Sequence, residues 1–271
     1  ANGKIVGFLG DGINDALALK ASDVGISVNN AADIAKESAD IILLQKNLLV
    51  LEDGVIEGRR TFGNILKYIK MGSSSKFRNM FSMTGASIFL PFLPMSPLQV
   101  ILNNFLYDMS QTSIPTDNVD EEYLVKPRRW DVKSIQKFMV LIGPISSIFD
   151  YLTFGVMWFV FNCKTTAAES VNLFHTGWFI ESLASQTLVV YIIRTGKIPF
   201  IQSRPSKFLV FTTLAIVGTG IFLISSPLTA PKLGFITPPP LFFVILALML
   251  VVYLYLVFIL HRRFLKKHGN D

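Results

Sequence analysis

Apolar and polar residues follow three different rhythms along this chain. Over residues 1–50, short apolar runs alternate with mixed segments. Ile5–Leu9, Val24–Val28 and Asp40–Leu44 read as strands, with Asp15–Ser22 and Ala31–Ser38 as short helices between them. Short strands alternating with helices predict a parallel sheet. From Leu51 to about Leu90 no proline interrupts the chain, and Val55, Phe62, Ile65, Leu66 and Ile69 recur at helical spacing. One long helix is expected here, polar at its start and apolar at its end, a rod suited to transmitting motion. Beyond residue 72, apolar runs of about 20 residues dominate, each long enough to cross a hydrocarbon layer. Six spans are expected, at 72–94, 97–115, 136–161, 173–193, 208–226 and 240–260. Pro91, Pro94 and Pro97 mark a tight turn between the first two. "TPPPL" opens the last, where proline is tolerated.

Composition supports this division. The 271 residues are half apolar, with 23 Phe and only 16% charged residues, a balance that leans toward membrane. The net charge of +6 does not read as a nucleic-acid footprint, because most basic residues beyond 120 sit at the ends of apolar runs. Lys126, Arg128, Arg129, Lys133 and Lys137 lie in loop 116–137. Arg194, Lys197, Arg204 and Lys207 lie in loop 194–207, and Arg262, Arg263, Lys266 and Lys267 in the tail. The opposite loops hold only Lys164 and Lys232. The excess of cations places the soluble segment, these two loops and the tail on the cytoplasmic side. Six spans return the tail to the side where the chain starts. Cys163 is the only cysteine, which excludes an internal disulfide and a cysteine-based metal site. No signal peptide or initiator Met opens the chain, so it is expected to be the C-terminal part of a longer protein.

Two groups of residues carry candidate chemistry. In "GDGINDA", Gly10 and Gly12 permit a sharp turn after the first strand. Asp11, Asn14 and Asp15 then project oxygens toward one point at the strand end, where open α/β sheets bind ligands. Hard oxygen donors of this kind suit Mg²⁺. The same residues would also serve as an Asx-rich turn that caps the next helix. In the apolar part, Asn104, Asp108 and Gln111 share one helical face. Such a stripe is either functional or a polar seam between helices. Ser75, Asn79, Ser82 and Ala86 form a second small polar face. Glu181 lies deep enough to be a ligand, and Asp150 reads as a structural pairing or orienting group. Lys76 has three readings: a counter-ion to Asp108, a side chain that snorkels to the interface, or a change that abolishes transport. The Phe-rich stripes read as lipid-facing or packing surface. The "HRRFLKKHG" tail reads as a topology anchor or a sensor of anionic lipid.

The longer stretch "GDGINDALALKASDVGISV" resembles the hinge motif of P-type ATPases, GDGxNDAPAL, in their haloacid-dehalogenase-like phosphorylation domain. "ADIILL", "GRRTFGNILKYIKM" and the expected spans extend the resemblance over the whole chain. "YDMSQTSIPTDNVD" and "GPISSIFDYLTF" look most like the magnesium-transporting branch. The resemblance implies a mostly α fold: a six-helix transmembrane bundle preceded by an incomplete α/β segment and a long stalk helix. Residues 1–50 would end the phosphorylation domain, 51–71 form the stalk, 72–260 the bundle and 261–271 a basic cytoplasmic tail. Asp11 and Asp15 would hold a catalytic Mg²⁺, with Asn14 ordering the site beside them. Asn79, Asn104, Asp108 and Glu181 would serve the transported ion.

The implied protein is a pump of the bacterial inner membrane. It would use ATP bound by missing upstream domains, and an aspartyl phosphate, to move Mg²⁺ into the cytoplasm. Its partners would be lipid, the cation and those upstream domains, with no nucleic acid. The alternatives are a pump for Ca²⁺ or H⁺, or a truncated non-catalytic membrane fragment. Leu17 stands where the family usually has proline, and Leu9 where many members have threonine. Lys76 stands for a probable ligand asparagine and Arg78 for a glycine. No DKTGT motif, nucleotide-binding domain or TGE loop occurs here, so the chain alone is expected not to hydrolyse ATP.

Overall fold

The computed structural model describes residues 4–45 and 47–268, and falls into two compact units, residues 1–59 and 60–271. The first unit contains three parallel strands, β1 (Gly7–Leu9), β2 (Val24–Val28) and β3 (Ile41–Leu43), in that order across the sheet. Helices α1 (Ala16–Ala21) and α2 (Asp33–Ser38) connect them. Leu19, Ile26, Val28, Ala31, Ala35 and Leu43 form its core. β2 has the expected bounds. β1 and β3 are shorter than the apolar runs suggest, because Ile5, Val6 and Leu44 extend beyond the paired register and stay exposed.

Helix α3 runs from Leu48 to Phe89, close to the expected Leu51 to Leu90. The second unit continues with α4 (Pro97–Gln111), α5 (Glu121–Leu124) and α6 (Val132–Gly155), which ends in a π-helical turn at Val156–Val160. Then follow α7 (Ala168–Leu188), α8 (Val190–Ile193), α9 (Lys207–Ser225) and α10 (Pro240–His268). Local chemistry sets several starts. Ser96 accepts from Gln99 N while Gln99 Oε1 accepts from Ser96 N, and Pro97 occupies the first turn. Asp131 caps α6 and Ser206 caps α9.

Among the described residues, three helical segments, Val132–Val160, Lys207–Ser225 and Pro240–Lys267, are long and apolar enough to cross a membrane. The other long helices of this unit carry polar residues, and the structure shows where these point. From Phe174 to Thr187 every residue of α7 is buried, so it is the central helix. It packs against α4, α6, α9 and α10. Several of its polar groups are met from its neighbours: Ser75 donates to Gln186 Oε1 at 2.8 Å, and Gln186 Nε2 donates to Asn103 Oδ1 at 2.6 Å. Asn103 Nδ2 in turn donates to the Phe179 carbonyl at 3.0 Å. Hydropathy is low in α7 because the helix faces protein on all sides. Large apolar residues of α6, α9 and α10 such as Ile148, Phe211, Phe222, Leu248 and Val251 are exposed instead. An exposed apolar surface on this scale belongs in lipid.

At one end of the unit, the segment after α4 is tied to α3 and to the α8–α9 connection by Asp117. Its Oδ2 accepts from Lys67 Nζ at 2.9 Å and Arg194 Nε at 2.8 Å, and its Oδ1 from Ser206 N at 3.0 Å. Asn64 Nδ2 donates to the Pro115 and Asp117 carbonyls, both at 3.0 Å. Burial acts to raise the Asp117 carboxyl, but Lys67 and Arg194 together outweigh it and hold it below the usual carboxylate range. Burial depresses the Lys67 ammonium more than Asp117 supports it, and Arg194 adds to the depression. One carboxylate shared by two cations explains why the anion gains more than the lysine.

Asp117→Asn is expected to leave two buried cations without an anion and to cost about 3–5 kcal/mol, read as a lower melting temperature in detergent. A depressed folded pKa gives stability that is whole above the unfolded value of about 4 and is lost as pH falls through the folded value. The parent should therefore lose this contribution in acid below about pH 4, and the Asn variant should not. A variant that melts with the parent would show that the cluster contributes nothing.

Candidate functional site

The acidic turn leaves the end of β1. Gly10 donates its amide to the Ile26 carbonyl at 3.0 Å, and its own carbonyl accepts from Ser27 Oγ at 2.8 Å. The Asp11 carbonyl accepts from Ala32 N at 3.0 Å. Asp15 folds back over the turn, and its Oδ2 accepts the amides of Asp11 at 3.1 Å and Gly12 at 2.9 Å. A Cβ at residue 10 would lie 2.5 Å from Asp15 Cβ, so this fold-back needs glycine there. The turn itself continues as a 3₁₀ turn at Ile13–Asp15, which is why α1 starts at Ala16, one residue later than expected.

Asp11 and Asp15 line one cleft of about 260 Å³ together with Leu9, Gly10, Val28, Leu43 and Asn47. Leu9, Val28 and Leu43 are the last residues of the three parallel strands. The cleft thus sits at the carboxyl ends of the strands, where open sheets bind ligands. Two carboxylates on one wall suit Mg²⁺, which takes one or two carboxylates and completes its octahedron with phosphate and water. Asp15 commits one oxygen to the backbone amides of the turn. Among the described residues no group of three His, Cys, Asp or Glu side chains could form a protein-only metal cage. Asn14 is exposed on the turn and stands outside the lining of the cleft.

In the helical unit, the residues expected to serve an ion separate into three places. Asn79 Nδ2 donates to Asn104 Oδ1 at 3.4 Å, bringing α3 and α4 together. With Asn103 and Ser182 they border a cavity of about 20 Å³, room for one water. Asn79 Oδ1 is buried without a hydrogen-bond partner among the described residues. Asp108, one turn further along α4, is exposed and lines a separate cleft of about 270 Å³ with Thr61, Asn64, Tyr68, Gln111 and Thr112. Glu181, buried in α7, is paired with Arg78.

The sequence marks Arg78 only as an unusual residue, standing for a glycine. In the structure it is 1% exposed, and its guanidinium joins three helices. Nε donates to Asp150 Oδ2 at 2.8 Å and Nη2 to Asp150 Oδ1 at 2.5 Å. Nη2 also lies 3.2 and 3.1 Å from the two oxygens of Glu181, and Nη1 donates to Ser185 Oγ at 2.6 Å. Asp150 receives two further donors, Ser82 Oγ at 2.6 Å and Trp178 Nε1 at 2.7 Å. Asp150 is therefore the structural partner that its position suggested. Lys76 is exposed and makes no ion pair among the described residues, so it is not a counter-ion to Asp108 here. Positions 76 and 78 differ by about 200° around a helix, so only one of them can face inward. A legible signal existed on α7, where Trp178, Glu181 and Ser185 recur at the three-to-four-residue spacing of one face.

The profile of the family described as "Cation transporting ATPase, C-terminus" matches residues 92–263, covering α4 and all the helices after it. The chain belongs to the P-type cation-transporting ATPases. It is 59% identical over 228 residues to "Magnesium-transporting ATPase, P-type 1" of Salmonella typhimurium, and 58% identical over 228 residues to the protein of that name in Escherichia coli. These matches cover 84% of this chain and 25% of each relative. The chain thus spans about a quarter of the length of the curated relatives it matches. The human "Calcium-transporting ATPase type 2C member 1" is 29% identical over 150 residues, covering 54% of this chain and 16% of that protein. Among these relatives the ATPase chain is plainly nearer to the magnesium-transporting ones.

Gly10→Ala is expected to cost about 1–3 kcal/mol through overpacking against Asp15, and to raise amide exchange over residues 10–15. Gly58→Ala, where the added Cβ meets nothing within 4 Å, should be neutral or stabilising by up to about 1 kcal/mol. Equal effects at the two positions would contradict the tight turn.

Proposed function

We propose that this chain is the C-terminal, membrane-embedded part of an ATP-driven pump that moves Mg²⁺ into the cytoplasm. The observation that carries the reading is the pairing of Asp11 and Asp15 in one cleft at the ends of three parallel strands. The names of the Salmonella and Escherichia relatives supply the transported ion. Direction, and an aspartyl phosphate formed on a residue outside this chain, come from the family resemblance. A catalytic Mg²⁺ held by Asp11 and Asp15 would neutralise charge on a phosphoryl group. Asp15 keeps the turn closed by accepting the amides of residues 11 and 12, and so keeps Asp11 at the mouth of the cleft. ATP would be bound by upstream domains of the same polypeptide, and the present chain alone would not hydrolyse it. The exposed Ile5, Ile41 and Ile42 fit this reading, since parallel sheets are ordinarily covered on both faces.

The transported ion is assigned to the oxygens of Asn79 and Asn104 and to Asp108. An intramembrane carboxylate facing lipid is costly, so the exposed Asp108 face suits further protein or a water-filled path. The six long helices would be six spans of the inner membrane, with the soluble segment, the two basic loops and the tail in the cytoplasm.

In the complete polypeptide, Asp11→Asn should cripple phosphoenzyme formation or turnover, and Asp108→Asn should remove ion-stimulated ATPase while ATP binding survives. Stimulation by Ca²⁺ or a proton gradient, and not by Mg²⁺, would replace the ion assignment. Normal activity of the Asp11 variant would remove its role. Topology is open to single-cysteine labelling, because Cys163 is buried and burial pushes its thiol up to about 11. Cysteines placed in 227–238 should react from outside sealed cells, and cysteines in 194–207 should not. The reverse pattern would invert the orientation.

A further inference from the structure

Among the described residues, the carboxylates of Asp150 and Glu181 form the most deeply buried acidic pair in the helical unit, 0% and 2% exposed. Such a pair would be the obvious seat for a divalent ion, yet the coordination of Asp150 is already spent. Asp150 accepts four donors, two from Arg78, one from Ser82 and one from Trp178. A carboxylate offers about four lone-pair sites, so Asp150 has none left for a metal. Both oxygens of Glu181 face the same guanidinium nitrogen.

We propose that Arg78 is a resident cation that occupies the Asp150–Glu181 pair and bars it to the transported divalent ion. The proposal rests on the reading of the chain as part of a cation pump. It assigns Arg78 to selectivity, with the ion confined to the neutral oxygens around Asn79 and Asn104 and to the Asp108 face. Three physical arguments support it. An arginine does not deprotonate in proteins, so it cannot vacate the pair by losing its charge as a buried lysine can. Its fork matches Asp150 in a bidentate way that a point charge would not reproduce. It is also tethered to α3, so a free ion competes with a cation already held in place at high effective concentration. Expelling it would leave a guanidinium unpaired among buried helices, which is the costly half of breaking a buried ion pair.

The test uses the complete polypeptide in lipid nanodiscs, with MgCl₂ titrated in thermal melts and MnCl₂ as the paramagnetic probe of occupancy. The acidic cleft at Asp11 is common to all variants, so differences between them report the membrane pair. In the parent background, Glu181→Gln should leave divalent affinity unchanged. Loss of an ion-binding group would instead weaken affinity by about 10–100-fold, and that result would overturn the proposal. Arg78→Ala should gain a Mn²⁺ site and a Mg²⁺-dependent rise in melting temperature, both lost again in Arg78→Ala with Glu181→Gln. If Arg78→Ala folds and gains neither, the arginine is a structural brace only and the proposal fails. If Arg78→Ala does not fold, Arg78→Lys serves in its place: Mn²⁺ should enter the pair as pH is raised and the lysine can deprotonate. Its exclusion at every pH would overturn the proposal. Should Mg²⁺ neither bind nor stimulate the parent while Arg78→Ala gains its site, the transport assignment fails and the resident cation stands.

Discussion

A guanidinium buried among helices cannot be left unpaired, and much of the arrangement of the helical unit follows from that requirement at Arg78. Its charge draws Asp150 from α6 and Glu181 from α7 to one point on α3. Trp178 and Ser82 then complete the carboxylate, and Ser185 completes the guanidinium. Buried ion pairs of this kind add little net stability, because desolvation offsets most of the attraction. What they impose is registry. A rotation of α3 by one residue would move the guanidinium by about 100° around the helix and strand three charges together.

The same helix is fixed a second time. Lys67 lies eleven residues before Arg78, about three turns, and therefore on the same face. It meets Asp117 from the segment after α4, which also holds Arg194 from the α8–α9 connection. Both attachments use a cation on α3 and carboxylates from elsewhere, so α3 has a single rotational setting that satisfies both. Between them, Ser75 joins Gln186, and Asn79 meets Asn104. The inward face of α3 is thus polar along much of its length and is hydrogen-bonded at most of these steps, Asn79 Oδ1 excepted. This also explains why α7 can be buried on all sides while carrying Glu181, Ser185 and Gln186. Its polar groups are the partners that α3, α4 and α6 require.

The sequence made some of this legible and hid the rest for identifiable reasons. The bounds of α3 and of β2 follow from apolar periodicity and from the positions of prolines, which act locally. The convergence of Asp11 and Asp15 on one cleft was readable because it depends on a seven-residue turn. The alternative reading, an Asx-rich turn that caps the next helix, holds for the turn but not for the cap: Asp15 accepts the amides of residues 11 and 12, and α1 has no side-chain cap. The inward choice of Arg78 over Lys76 was not readable, although both lie in the same unusual segment. Hydropathy treats the two alike, and the decision rests on Asp150 and Glu181, 72 and 103 residues away. Asp117 escaped notice for a similar reason. It sits among other acidic residues of a loop, and only the fold shows that it is buried between two cations.

Polarity in a helix of this unit thus has two opposite meanings, and the partner decides between them. On α4, Asn103 faces inward and is consumed by Gln186 and by the α7 backbone, whereas Asp108 on the same helix is exposed and lines a cleft. On α7, Glu181 is the deeper and more conspicuous acid, but it already faces a cation. On the proposed reading, depth of burial alone ranks these carboxylates in the wrong order as ion ligands. A buried acid matched by a tethered arginine is chemically closed, while a neutral amide such as Asn79, with an oxygen lacking a partner, still has a lone pair to give. On the proposed reading the ion would use oxygens that lack a partner, such as Asn79 Oδ1, and not the pair that Arg78 holds.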